Sequence, residues 1–421
     1  MAKKEYDWLN GAELLDHTKR KLKILDDYLF DYLTIRCQLP QQQKFRLAIV
    51  DGFAGGGRYD CGSAGSPIVF IQGLERALTK INIDRLVQGL GEIELECLLI
   101  LNDRDGEVVE LLKRNCAPLL AAIKTQTPKL HVQPVFMVET FEKAHPEIKA
   151  LIQQGRYRNV LFNLDQCGVS QINLDTVLDI MNVSSSVEIF YTFMVKSLLA
   201  YLSKNNPTRL ASQLKALDVS AGEQTKLHQG TSNDAWMGAA ERLVFENFHR
   251  FARYVSPFSI NNPDGWRYWL IHFSNSYRAR QAYNMVLHDN ASAQAHFGRS
   301  GLNMLSYDPR DDEGQAYLFD TSGRKKARDQ LMYDIPRLVT DQGDAISVEA
   351  FYEGIYNLTP AHRDDIHSAI GNNPDLEVFT PSGGKRQKST TISAGDTLKM
   401  KSQKSFFPMF PPLPPKRKKR E

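Results

Sequence analysis

The sequence predicts an α/β protein with a mostly parallel sheet, followed by a small C-terminal helical or winged-helix domain. Three observations carry this. The apolar runs 47–50 and 97–101 do not alternate, which suits strands covered on both faces. Strand-like and helix-like stretches then alternate, the pattern of a parallel sheet whose ligand edge lies at the strand carboxyl ends. From about residue 324 the pattern changes to three short helical stretches and two strand-like runs around a basic Pro/Gly turn.

Residues 12–35 place Leu14, Leu15, Leu22, Leu25, Leu29 and Leu33 at helical spacing, interleaved with Lys19, Arg20, Lys21 and Lys23. The basic residues read as a solvated helix face more readily than as a polyanion contact. The first strand, 47–50, runs into Asp51-Gly52-Phe53-Ala54-Gly55-Gly56-Gly57-Arg58-Tyr59. Glycine admits positive φ and lets a ligand approach the backbone, so Gly55 and Gly57 can form a turn that presses against an adenosyl group. The second strand ends in Asn102-Asp103, and an acid there is placed to hold an adenosine ribose through its hydroxyls. The two signals lie about fifty residues apart, which predicts a loop insertion around 62–67.

Further along, 107–115 reads as a helix ending near Pro118, and 131–138 as a third strand interrupted at Pro134. Helix is expected over 139–153, a fourth strand over 159–164, helix over 171–182 and a fifth strand over 187–193. Helices follow at 212–217 and 235–251, with Leu243, Phe248 and Phe251 packing on the sheet, then a strand at 268–274 and a helix at 278–288 with Met285 and Val286 inward. Segments 325–339, 347–356 and 361–370 are the C-terminal helices, with Thr359 as a cap before Pro360. A hairpin is expected between 376–379 and 389–392 across 381–386. The domains expected are N-terminal helices (1–40), an α/β domain (41–310), a winged-helix-like domain (324–400) and a proline-rich basic tail (401–421).

The length of 421 residues is enough for two or three cores. No apolar run reaches membrane-spanning length and the N-terminus lacks a signal-peptide pattern, so a cytoplasmic protein without membrane contact is expected. Five cysteines without paired spacing read as reduced thiols, and no metal site is predicted. The net charge of +3 is concentrated at the end: Lys416-Arg417-Lys418-Lys419-Arg420-Glu421 is basic while the rest is close to neutral. Such a cluster holds phosphate without reading sequence, or serves as a solubilising tail. The last C-terminal helix or the hairpin is the other candidate contact for DNA or RNA.

With these residues placed, the chain resembles the class I S-adenosylmethionine-dependent methyltransferases and, more closely, the bacterial three-Cys-motif partner proteins. Members of that family show Asp-x-Phe-Ala-Gly-x-Gly-x-Tyr and Gly-Ser-Pro, matched by the segment from Asp51 to Tyr59 and by Gly65-Ser66-Pro67. The resemblance implies a Rossmann-like methyltransferase domain with S-adenosyl-L-methionine as cofactor. Asp51, Phe53, Gly55, Gly57 and Asp103 would bind it, with the two glycines near its methionine part. Asp165, at the end of the fourth strand, would position the acceptor as the catalytic residue, with capping of the next helix as its other reading. Gln166, Arg58 and Tyr59 would line or gate the substrate, and a protein with a three-cysteine motif would be a partner. Methyltransferases of this class often carry two prolines and an aromatic after that acid. Here Gln166 and Cys167 stand in those places, and a cysteine cannot stack on a flipped base. Two functions follow: methyl transfer to nucleic acid or to a partner enzyme's product, or a non-catalytic nucleic-acid-binding accessory protein built on the same fold.

Overall fold

Alternate residues of the first strand feed two different cores: Leu47 and Ile49 join one, Ala48 and Val50 the other, all four fully buried. The pleat requires this once both sheet faces are covered, and burial of Leu47, Ile49 and Val50 stabilises the fold by about 1.5–3 kcal/mol each. Cys97, Leu99 and Leu101 against Leu98 and Ile100 repeat the division on the second strand. The computed structural model describes residues 7–166, 172–193, 246–256, 259–261, 267–290, 294–297, 316–318 and 321–402, with Thr208 and Leu243.

The chain runs α1 (Asp16–Arg36), β1 (Lys44–Asp51), α2 (Ser66–Val87), β2 (Glu94–Asp103), α3 (Gly106–Gln126), β3 (Leu130–Val138), α4 (Phe141–Gln154), β4 (Asn159–Leu164), α5 (Leu174–Met181) and β5 (Ser186–Phe193). Next come β6 (Tyr254–Ser256), β7 (Ser259–Asn261), β8 (Arg267–Ser274), α6 (Tyr277–Asp289), β9 (Gln294–Phe297) and β10 (Ala316–Leu318). The sheet order is β3-β2-β1-β4-β5-β8-β7-β9-β10, with β6 also on β8. β1 to β5 are parallel, and β8 is antiparallel to β5, β6 and β7. Followed through the pairings, only β8 and β9 run against the other described strands, so the sheet is mostly parallel as expected. Residues of α1, α2, α3 and α6 fill the core on one face, and those of α4 and α5 the core on the other. Leu243, Phe248 and Phe251 join the second core, as their spacing predicts.

The C-terminal unit is α7 (Thr321–Asp341), β11 (Ala345–Ser347), α8 (Val348–Ile355), α9 (Arg363–Asn372), β12 (Leu376–Phe379) and β13 (Thr397–Met400). Its antiparallel sheet is ordered β11-β13-β12. Helix, strand, two helices, strand, wing and strand is a winged helix. It docks on α6, where Arg280 Nε donates to Tyr356 O at 2.9 Å, Asn284 Nδ2 to Thr359 O at 3.3 Å and His288 Nε2 to Pro360 O at 3.0 Å.

Several local expectations are corrected. The spacing between β1 and β2 holds both a loop over 52–65, in which Gly62 closes a short turn with an Arg58–Ala64 bridge, and the 22-residue helix α2, whose length makes up the rest. α3 continues through Pro118 to Gln126 because the proline lies on the solvent side, while Cys116 and Ile123 keep the helix packed. Pro134 sits inside an unbroken β3 because that strand pairs only with β2 in the described sheet, the edge position a proline tolerates. His362, not Thr359, caps the last helix, accepting from Asp364 N, while Thr359 Oγ1 accepts from Ala361 N in the preceding turn. β12 pairs with β13 instead of 389–392, which forms a 3-10 turn whose neighbour Ile392 is buried. The helix expected at 212–217, most of that at 235–251 and the basic end of the tail lie outside the described residues.

Burial holds His288 and His367 down, each to about 4, against an ordinary value near 6.5. Between those limits the unfolded chain binds more protons, so this contribution is complete above pH 6.5 and is lost as pH falls towards 4. In urea unfolding, H288Q/H367Q should lose less stability than the parent chain between pH 7 and 4.5. Parallel losses would contradict the assignment.

Candidate active site

Register brings the chemistry together. Asp51 pairs with Leu101 on β2 and with Asn163 on β4, so Asp103 and Asp165 each stand two residues beyond it on the flanking strands. A cavity of about 340 Å³ opens at these carboxyl ends, lined in part by Phe53, Tyr59, Asn102, Asp103, Asp165 and Gln166. That volume lies within the range of small-molecule sites, at the place where open α/β sheets bind ligands.

Asp51 lies beneath this opening with no solvent exposure, and it does not line the cavity. Burial pushes its carboxyl up to about 7, and the nearby charge of Asp165 adds to the rise, while hydrogen bonding from Ser66, Phe53 N and Asn163 opposes it. Asn163 Nδ2 donates to Asp51 Oδ1 at 3.2 Å. Asn102 stitches three strand ends together, its Nδ2 donating to Gly52 O at 3.1 Å and to Glu139 O at 3.0 Å. Its Oδ1 is buried without a hydrogen-bond partner among the described residues.

The glycine turn is pinned from several sides. Gly55 and Gly57 have φ of +60° and +80°, conformations that an L side chain rarely adopts. Gly55 N donates to Asp103 Oδ2 at 3.0 Å, and Asn115 Nδ2 donates to Gly56 O at 2.7 Å. The close approach that glycine permits is made by this chain's own side chains. A Cβ on Gly55 would meet the Trp8 indole at 2.4 Å, and one on Gly57 would meet Leu112 Cδ1 at 2.8 Å. Trp8 also packs on Tyr59 at 5.0 Å between ring centroids and lines the cavity beside it. Arg58 turns to the loop instead, donating from Nη1 to Gly62 O at 2.9 Å. Gly55, Gly57, Arg58 and Asp51 therefore support the cavity without lining it.

The acceptor side is built by α1. Lys21, one of the residues read as a solvated face, is only 8% exposed, lines the cavity and forms an ion pair with Asp165. Lys19 and Lys23 on the outer face are exposed and pair with Asp16 and Asp27. α5 starts at Leu174 behind Asn173, so Asp165 is not the cap of that helix. Gln166 is buried, and its Nε2 donates to Tyr191 Oη at 2.6 Å, which fixes the floor beyond Asp165. Asp103 is held from two sides, its Oδ2 by Gly55 N of the turn and its Oδ1 by Asp105 N at 3.1 Å in its own loop, and burial raises its carboxyl above the ordinary range.

Trp8, Lys21 and Asn102 escape a reading by motif. Trp8 precedes the first helix in an aperiodic stretch, and Lys21 looks like its basic neighbours until the helix is set against the sheet. For Asn102 the signal was present, as a polar residue ending an apolar strand. His272 on β8 is fully buried, bonded to Glu188 and packed on Tyr28. Cys37, Cys97 and Cys116 are buried and Cys61 is exposed, all as free thiols. Cys167 lies outside the described residues. Among the described residues, no group of three or more His, Cys, Asp or Glu side chains is arranged to hold a metal, and no helix is long and apolar enough to cross a membrane.

Residues 306–383 match the GMT-like wHTH domain family. That match ends within the wing, before β13. No curated protein matches the chain by sequence. Among solved structures it is similar to a spermidine synthase in complex with the transition state analogue AdoDATO, at 9% identity and a TM-score of 0.26 over 65% of this chain and 64% of that one. It is also similar to spermidine synthase from Thermotoga maritima, at 10% identity and a TM-score of 0.25 over 62% and 60% of the two chains. The chain thus spans less than two thirds of either structure. Likeness at this level carries no argument; strand order and register define the fold.

The Lys21–Asp165 pair makes a stability prediction. D165A leaves a buried ammonium without its carboxylate and should lower the unfolding free energy by about 1–3 kcal/mol. D165N keeps an oxygen that accepts from Nζ and should lose less, as read by urea denaturation. Equal losses in the two variants would contradict the pairing.

Proposed function

We propose that the cavity binds S-adenosyl-L-methionine and that the chain is a methyltransferase whose acceptor enters beside Asp165. The observation that carries this reading is the convergence of a pinned glycine turn, a strand-end acid and a second acid paired to a buried lysine on one opening at the carboxyl edge. The residues fit the cofactor. Asp103 offers a carboxylate at the cavity wall for the ribose hydroxyls, and Asn102 Oδ1 is a buried acceptor that finds no donor among the described residues. Phe53 supplies apolar wall, stacked on Phe141 at 5.9 Å. When bound, the cofactor supplies an activated methyl group on a sulfonium.

The protein's task is then alignment and proton acceptance. Lys21 fixes the Asp165 carboxylate at the mouth, so an acceptor hydrogen-bonded to that carboxylate is held at a defined place. The Asp165 carboxylate is also the candidate to take a proton from the acceptor. Tyr59 and Trp8, packed on each other at 5.0 Å, line the opening over the glycine turn. The acceptor is part of a nucleic acid or a partner enzyme's product. The three-cysteine protein implied by the family resemblance is the candidate partner, on that resemblance alone.

A second reading is a non-catalytic nucleic-acid-binding protein that keeps the fold as scaffold. The winged-helix order of α7 to β13 and the matched wHTH family favour it.

Calorimetric titration with S-adenosylhomocysteine tests the first reading. D103A should bind about tenfold or more weakly, the loss expected of hydrogen bonds to a charged group. D165N should keep the parent affinity. An unchanged affinity in D103A removes the ribose role, and absence of binding by the parent chain leaves only the second reading.

A further inference from the structure

In helix-turn-helix folds the second helix of the pair enters the major groove by its N-terminal residues. In this chain that helix is α9, and its leading end is covered. Thr359, Ala361, Asp365 and Ile366 are each no more than 1% exposed. The turn before α9 is clamped on α6 by Asn284 and His288, through Thr359 O, Ala361 O and Pro360 O. From the other side, Arg324 and Arg328 both bind the Asp365 carboxylate, at 2.7 and 2.6 Å. What α9 leaves to solvent in that first turn is Asp364 with part of Arg363, a charge balance that a phosphate backbone does not favour.

The opposite holds for the small sheet. Side chains alternate along β13, so Leu398 is buried while Lys399 faces out, with Lys401 half-buried in the same row. Lys399 stands opposite Glu377 on β12, and Lys385 reaches the same glutamate at 2.7 Å from the wing. Hydrogen bonding from Lys385 and the charges of Lys385, Lys401 and Lys399 hold the Glu377 carboxyl below its ordinary range, so these cations share one field. Lys388 is exposed further along the wing. Asp344 and Asp375 border the Met400 end of β13, their backbone carbonyls accepting from Met400 N and Lys401 N, so Lys385 and Lys388 on the wing are the cations set furthest from acids of the strand ends. The wing is a built structure: Thr380 N donates to Gly384 O at 2.7 Å, and Arg386 holds the buried Asp396 through two hydrogen bonds of 2.9 and 3.0 Å.

We infer that this chain holds nucleic acid on the outer face of the β11-β13-β12 sheet and its wing, through Lys385, Lys388 and Lys399, with α9 turned inward as the dock for the α/β domain. The inference rests on the nucleic-acid reading above and names its surface. Contacts made by lysines on strands and a wing fall on phosphates, so the binding is independent of sequence and falls with salt.

The test is fluorescence anisotropy of a labelled 30-base-pair mixed-sequence DNA duplex with the full chain between 50 and 200 mM KCl. K385A/K388A/K399A should bind about tenfold more weakly at the upper salt, with a log–log salt slope shallower by about 2 to 3, near one unit for each lost phosphate contact. The single charge reversal K388E, at an exposed wing position, should weaken binding in the same direction. R363A/S368A/N372A on α9 should stay within about twofold of the parent. A greater loss in the α9 variant than in the lysine variant, or lysine variants that bind like the parent, overturns the inference while leaving nucleic-acid binding standing. No binding by the parent chain at 50 mM salt overturns the nucleic-acid reading itself.

Discussion

The site hangs on the pairing of β1 with β2 on one side and β4 on the other, all three parallel and buried on both faces. Because these strands cannot slip by one residue without turning their apolar sets into the wrong core, the level of their carboxyl ends is fixed. Asp51 is held beneath, and Asp103 and Asp165 are carried to the same height on either side. Asn102 then ties the ends of β1, β2 and β3, so the mouth of the cavity is defined by backbone pairing before any ligand arrives.

Within that frame the carboxyls are given different characters by their surroundings. Asp51, buried below the glycine turn, is pushed up to about 7, while Asp165 stands against the Lys21 ammonium. Asp103 has a third character, as an acceptor for the turn as well as a wall of the cavity. Its double use explains why the glycine turn and the end of β2 read as one signal although they lie far apart in sequence.

Much of this was legible in the residues. Two-sided apolar runs gave β1 and β2 because burial on both faces leaves no polar positions, and the winged-helix order followed from the three short helices and the basic turn. The acids at the strand ends were legible because strand ends in such sheets face the cleft. What escaped depends on packing between distant segments. Pro118 and Pro134 look like breaks until one is seen on a solvent face and the other on a sheet edge. Lys21 differs from Lys19 and Lys23 only by which side of α1 meets the sheet. Trp8 belongs to no repeat at all, yet it fills the space that Gly55 leaves open. The strand partner of β12 was misplaced because the wing is longer than a hairpin turn, and Ile392 anchors its middle.

α6 joins the two halves, carrying Tyr283 and Val286 into the core beneath the large sheet and Arg280, Asn284 and His288 to the winged helix. The cavity and the small sheet are thereby joined through one helix. The most direct measurement is a crystal structure grown with S-adenosylhomocysteine. The account predicts the ligand's ribose at Asp103 and its sulfur facing the Lys21–Asp165 pair. A cavity without ligand, with Trp8 still packed against Gly55, would contradict it.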